Sequence, residues 1–269
     1  MPDSSNIQVL NAAGEYEPFS EEKIRSSLQR AEVVGEFQDK VVNRLREKLY
    51  EGIPTREIYK EVTRLLKRLK PPFASRYHLK QSIMQLGPTG YPFEKYFAGV
   101  LRFYGYDTQV NQVIGGKCVT HEVDVIAEKG GERAMIECKF HNQPGTRTDI
   151  KDALYTYARF LDLEKEGFNQ PWLVTNTKVT VEVIAYGECM GLKIISWNYP
   201  QDFSLRFLVE SKDLFPLTVL DSLSSSEKQG LLEQGIVFCQ DLLEKEIEGL
   251  SPELVRKVRR EILGVIGSE

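Results

Sequence analysis

Cysteine is scarce: Cys118, Cys138, Cys189 and Cys239 are the only four in 269 residues, and no two form a Cys-x-x-Cys. This excludes a disulfide-stapled framework and points to reduced, mostly buried thiols. Long apolar runs are missing too, with nothing near the roughly 18 residues that a membrane-spanning helix needs. The opening residues Met1 to Asn6 are polar and carry neither a basic nor an apolar leader segment, so the expectation is a soluble cytoplasmic protein without a membrane partner. An excess of basic charge is also lacking. Lys and Arg number 35 against 39 Asp and Glu, and a net charge of −4 denies the surface a general basic coat for nucleic acid. Any such binding must be local. Repeats and low-complexity tracts are absent, and 41% hydrophobic residues are enough for a packed core.

Charge and loop signals divide the chain into three expected segments, 1–87, 88–205 and 206–269. The first carries 15 basic and 12 acidic residues, the second 12 and 15, and the third 8 and 12. In the first, a short strand near Ile7–Leu10 and a turn at Gly14 precede helices. Ser20 before Glu21-Glu22 reads as an N-cap with first-turn acids, and Thr55 reads as the cap of a helix whose stripe is Ile58, Val62, Leu65, Leu66 and Leu69. Pro71-Pro72 should end that helix, with another over about Ala74–Leu86. Beyond Gly87-Pro88-Thr89-Gly90 the pattern becomes α/β: a helix over Phe93–Phe103, strands at Val119–Ala127 and Arg133–Phe140, a helix over about Asp149–Leu163, and short strands at Trp172–Val174 and Leu192–Trp197 around a helix centred on Ala185. The last segment reads as helical, with a Ser224-x-x-Glu227 capping box, a stop at Gly235 and a start at Ser251-Pro252-Glu253. Its Arg256, Lys257, Arg259 and Arg260 read as a cluster at a helix C-terminus.

One hairpin concentrates chemistry. A two-residue turn at Gly130-Gly131 makes partner numbers sum to 261, which sets Asp124 opposite Glu137. Directly opposed side chains share a face with Cβ atoms roughly 4.5–5.5 Å apart, where two carboxylates repel. A divalent cation relieves that repulsion. Lys139 falls on the same face by the strand's period of two. The expected chemistry is Mg²⁺, with Mn²⁺ as the alternative, held by Asp124, Glu137 and the backbone carbonyl of Cys138, with Lys139 orienting water or neutralising a phosphodiester during in-line hydrolysis. The competing reading is ordinary cross-strand pairing on a solvated face. Two thiol–imidazole pairs, Cys118-x-x-His121 and Cys138-x-x-His141, suit zinc in type, but the register sends the ligands to opposite faces. His141, Lys151, Tyr155, Tyr157 and Arg159 are read as ordinary helix and strand-end residues, with a nucleic-acid groove as the alternative.

The residues 121-HEVDVI-126, 136-IECK-139, 172-WLVTN-176 and 191-GLKIIS-196, with Glu94 in 93-FEKYF-97, resemble the PD-(D/E)XK nuclease superfamily in its Mrr-like restriction endonuclease branch. The resemblance spans about residues 90–200. It implies a restriction-endonuclease-like α/β core with a mixed sheet, a nuclease acting on nucleic acid, DNA in preference to RNA, and a role for Glu94 at the metal or water alongside Asp124, Glu137 and Lys139. A homodimer would suit cutting both strands.

Residues 6–86 resemble the ATP-cone, a nucleotide-binding regulatory domain, through Gly14, 17-EPFSEEKI-24, 52-GIPT-55 with Ile58, and Arg76-Tyr77-x-Leu79-Lys80. The resemblance implies ATP or dATP as regulator and Lys23, Thr55 and Lys80 as nucleotide contacts. The family's usual Lys-Arg pair before the glycine is replaced by Asn11-Ala12-Ala13, which removes two phosphate-binding cations. The last segment is faintly similar to a helix-hairpin-helix repeat, although its charge argues for a core-forming or partner-binding bundle. The overall expectation is a magnesium-dependent nuclease with a nucleotide-sensing N-terminal domain. The alternative is a non-catalytic, nucleotide-responsive nucleic-acid-binding protein that keeps only the nuclease fold.

Overall fold

A computed structural model describes residues 7–11, 14–244, 247 and 249–266. Ala12 and Ala13 of the substituted phosphate motif, and the polar start Met1 to Asn6, lie outside the described residues. The chain forms two compact units, one built on residues up to Leu79 and from Arg260, the other on Lys80–Arg259.

In the first unit, β1 (Gln8–Leu10) pairs antiparallel with β2 (Tyr16–Pro18). Helix α1 (Glu21–Arg30) starts where the Ser20 hydroxyl accepts the Lys23 N–H, and α2 (Gly35–Arg46) follows. Strand β3 (Ile53–Pro54) adds parallel to β1, giving the order β2-β1-β3. Helices α3 (Thr55–Leu69) and α4 (Pro71–Met84) come next. Val9, Leu28, Val41, Leu45, Ile58, Val62 and Leu66 form the core. Two expectations are corrected. Pro54 is the N-cap of α3 and no side chain caps it, so Thr55 is its first helical residue. The following helix begins at Pro71, because proline's fixed φ suits the first turn, rather than at Ala74.

The second unit opens with α5 (Tyr91–Phe103), where Gly90 is the N-cap and Pro92 lies in the first turn; Phe93, Phe97 and Leu101 bury one face. A five-stranded sheet follows: β4 (Asp107–Gly115), β5 (Thr120–Lys129), β6 (Glu132–Lys139), β8 (Gln170–Thr175) and β10 (Lys193–Ile195), in the order β10-β8-β6-β5-β4. The β4, β5 and β6 strands pair antiparallel, and β6, β8 and β10 pair parallel. The two-stranded parallel pair of β7 (Arg147–Thr148) and β9 (Lys178–Val179), with α6 (Ile150–Asp162) and α7 (Val181–Met190), completes the crossovers. Strand β6 is buried from Ala134 to Cys138, as a central strand covered on both faces should be.

The Gly130-Gly131 turn has φ of 59° and 86°, the left-handed pair that glycine supplies to a two-residue hairpin. Its ladder runs Lys129↔Glu132, Ala127↔Ala134 and Val125↔Ile136. Asp124 and Glu137 are the next step of that register.

Helices α8 (Leu205–Glu210), α9 (Ser225–Glu233), α10 (Asp241–Glu244) and α11 (Pro252–Val265) follow the sheet, and the Ser224–Glu227 capping box is present. Residues 206–259 share the compact unit of the sheet. The Tyr96 hydroxyl donates to the Leu214 carbonyl at 2.7 Å, and Phe238 lies against the bare Gly99 of α5. Arg256, Lys257, Arg259 and Arg260 lie within α11, whose last turn has no basic residue, so they are not a C-terminal cluster. The helix runs past them because Ile262 and Val265 continue its buried stripe.

Candidate active site

The end of the hairpin gathers the acids. The Asp124 carboxylate accepts the Cys138 backbone N–H at 2.7 Å, in place of the ladder pair that would follow Val125↔Ile136. Glu137 is buried, 6% exposed. Its Oε1 lies 2.8 Å from Lys139 Nζ, and Lys139 also faces Asp152 of α6 at 3.7 Å. Glu94, in the first turn of α5, lies close enough to feel the charges of Asp124, Glu122 and Glu137. A Cβ on Gly90 would sit 3.1 Å from Glu94 Oε1 and 4.0 Å from Phe140 Cβ, so glycine leaves the room this carboxylate uses.

The charges register this crowding. Burial, then the neighbouring Asp124, Glu122 and Glu137, push the Glu94 carboxyl up to about 7. Burial and the Glu137 charge push Asp124 up to about 6, against the Cys138 N–H and the Arg159 and Lys139 charges. For Lys139, burial works downward, but the Glu137 carboxylate, helped by Asp152 and Asp124, raises it and keeps the ammonium charged. The Cys138 thiol is raised by burial and by the same acids, so it stays neutral and leaves only its backbone oxygen as a hard donor. Glu94, Asp124, Glu137 and Lys139 are therefore electrostatically linked at the end of the hairpin.

Arg159 was not singled out as part of this site by the sequence. It comes from α6, is 8% exposed, and donates to Glu137 Oε2 and to the Glu122 carbonyl. A lone arginine on an amphipathic helix gives no sequence signal of this role. Asn111 of β4 is the second surprise: the β4–β5 register passes from Val110↔Val125 to Gln112↔Val123, leaving Asn111 at the Asp124 position. Its φ is 51°, a left-handed conformation asparagine tolerates, and its Oδ1 is buried without a hydrogen-bond partner.

Carboxylate, backbone and amide oxygens are the donors that hard divalent cations prefer, and the weakened acidity of Glu94 and Asp124 marks a deficit of positive charge. In kind, the residues fit Mg²⁺ or Mn²⁺. In arrangement, Glu137 is already held by Lys139 and Arg159, and among the described residues no three His, Cys, Asp or Glu side chains are grouped to hold a metal. The thiol–imidazole pairs are occupied differently: His121 Nε2 lies 2.8 Å from Asp162 and His141 Nε2 lies 3.0 Å from Thr148 Oγ1. Asn176 clamps the end of β6 by accepting the His141 N–H and donating to its carbonyl.

Of the nucleotide candidates, Lys23 pairs with Glu17 at 3.2 Å on the first unit's surface and Thr55 opens α3. Lys80 belongs to the second unit, 5.8 Å from the Trp197 ring centre, and burial, then Lys178, lowers its pKa.

Family models match along the chain: an ATP cone domain over residues 7–81, a restriction endonuclease over 87–200, and an AF1548-like C-terminal region over 215–264. An uncharacterized protein of Archaeoglobus fulgidus is 45% identical over 175 residues, which is 63% of this chain and 99% of that protein. A crystal structure of a protein of unknown function, AF1548, matches with a TM-score of 0.60 and 43% identity, covering 67% of this chain and 100% of the other. A restriction-type nuclease domain with an ATP-cone regulatory domain is the architecture these matches support.

Proposed function

Because the chain belongs to the AF1548-like family, with a restriction endonuclease domain behind an ATP cone domain, we propose that it is a divalent-metal-dependent nuclease cutting phosphodiester bonds in DNA. The observation that carries this reading is the end of the β5–β6 hairpin, where Asp124 accepts the Cys138 N–H at 2.7 Å beside a buried Glu137 whose Oε1 lies 2.8 Å from the Lys139 ammonium.

Asp124, Glu137 and the Cys138 carbonyl would hold Mg²⁺ or Mn²⁺, which when bound supplies an activated water and charge for the leaving oxygen. Lys139 stabilises charge building on the phosphate oxygens or orients the attacking water. Glu94, with a carboxyl that titrates near neutrality, accepts or returns a proton at Oε1. Arg159 orients Glu137 from behind. Lys23 and Thr55 are the proposed contacts for ATP or dATP in the first unit.

Incubation of plasmid and oligonucleotide DNA with Mg²⁺, with and without ATP, tests the reading. Cleavage that Lys139→Ala abolishes supports it. Binding without cleavage by the native chain supports a second reading, a nucleotide-responsive DNA-binding protein that keeps the nuclease fold. The engagement of both Glu137 oxygens by Lys139 and Arg159 is the observation that favours this second reading.

A further inference from the structure

A cleft of about 500 Å³ lies on the other face of α5, closed by Val110 of β4 and by the Gly235–Asp241 turn. Lys95, Gly99, Arg102 and Phe103 line it at helical spacings of four, seven and eight, so they form one stripe. Lys95 and Arg102 bring two positive charges, and neither has a carboxylate at ion-pair distance among the described residues. Arg102 Nε is fixed by Thr108 Oγ1 at 2.7 Å, which leaves the terminal nitrogens of its guanidinium for another partner. Lys95 Nζ lies 4.2 Å from the Tyr91 ring centre, and a Cβ on Gly235 would stand 3.3 Å from it. Gly235 has φ of 80°, so a bare left-handed turn is what lets the ammonium approach the C-terminal region. The one acid of the lining, Asp241, accepts the Phe238 N–H at 3.2 Å and the Val237 N–H at 3.4 Å. Phe103 is 51% exposed and meets Phe238 edge-on at 5.8 Å.

We propose that this cleft is a nucleic-acid strand subsite, in which Lys95 and Arg102 take backbone phosphates and the exposed Phe103 ring stacks a base. It rests on the nuclease reading and extends it to where substrate is held. Seven residues of helix span about 10 Å, a length of duplex axis carrying about three phosphates per strand at roughly 3.4 Å each. The two cations are therefore spaced to meet two phosphates about three nucleotides apart on one strand. The subsite shares its helix with the candidate active site: Lys95 directly follows Glu94, so α5 carries both the acid and the cations.

The test is fluorescence anisotropy of the full chain carrying Lys139→Ala with a labelled DNA oligonucleotide, without divalent metal, across a salt series. With a single-stranded oligonucleotide, adding Lys95→Gln or Arg102→Gln should each flatten the slope of log K against log salt by about 0.7, and the pair by about 1.4. Phe103→Leu should weaken binding several-fold without altering the slope. Arg102 also ties α5 to β4, so Lys95→Gln decides if Arg102→Gln lowers the melting temperature. Tight binding with unchanged slopes in a folded Lys95→Gln protein overturns the subsite and leaves the nuclease reading standing. Failure of the parent protein to bind any nucleic acid overturns both. Equal displacement of the oligonucleotide by free mononucleotide at matched concentration also overturns it, identifying a nucleotide pocket instead.

Discussion

Replacing Arg159 with methionine removes a buried counter-ion while keeping most of the packing volume. Arg159 and Glu137 are 8% and 6% exposed, and the guanidinium bridges Glu137 Oε2 and the Glu122 carbonyl. Breaking one side of a buried pair leaves an uncompensated charge and costs about 3–5 kcal/mol. Lys139 remains 2.8 Å from the other Glu137 oxygen, so the lower end, about 3 kcal/mol, is expected here. For a unit of this size the melting temperature should fall by roughly 6–12 °C. Thermal unfolding followed by circular dichroism in metal-free buffer measures the fall. Repeating it with Mg²⁺ at about 100 times its dissociation constant should return up to about 2.7 kcal/mol to the variant. That recovery should exceed any gain in the native protein, because the freed carboxylate oxygen becomes a ligand. A fall below about 1 kcal/mol, or equal Mg²⁺ gains in both proteins, would refute the reasoning.

The site also makes stability depend on pH. Glu94 and Asp124 keep their protons in the folded chain to about 7 and about 6, above their ordinary values of 4.5 and 3.8. Their stabilising contribution is therefore fully present below about pH 4 and lost as pH rises through 6 to 7; the urea midpoint should move downward over that window in native protein and not in Glu94→Gln, Asp124→Asn. Added Mg²⁺ should remove the trend, since its binding displaces those protons. Gly99→Ala should destabilise by about 1–3 kcal/mol through overpacking, because the new Cβ would stand 2.3 Å from Phe238 Cε2; an unchanged melting temperature would show that the ring moves freely.

The hairpin was legible because two adjacent glycines fix a turn, and a turn fixes every pairing behind it; the β5–β6 register follows from that alone. The ATP-cone helices were legible from caps and stripes where they had them. Helix α2 begins at Gly35 without a side-chain cap, and only the Phe37, Val41 and Leu45 spacing marks it. Strand β4, Asp107–Gly115, was missed because it is an edge strand rich in Asn and Gln, with Val113 71% exposed. The roles of Arg159, read only as a groove alternative, and of Asn111 escaped for a different reason. Arg159 reaches Glu137 only through tertiary packing, and Asn111 takes its place opposite Asp124 only from the β4–β5 register. Charge also misled: Arg256, Lys257, Arg259 and Arg260 look like a dipole cap until the helix is seen to continue to Val265.

Everything in the nuclease account depends on a cation finding these oxygens. Crystals of the full chain soaked in Mn²⁺ and measured at the manganese absorption edge would place it directly. The account predicts an anomalous peak in contact with Asp124 and Glu137, with the Arg159 guanidinium withdrawn from at least one Glu137 oxygen. Saturating Mn²⁺ that gives no peak there, with both Glu137 oxygens still held by Lys139 and Arg159, would contradict it.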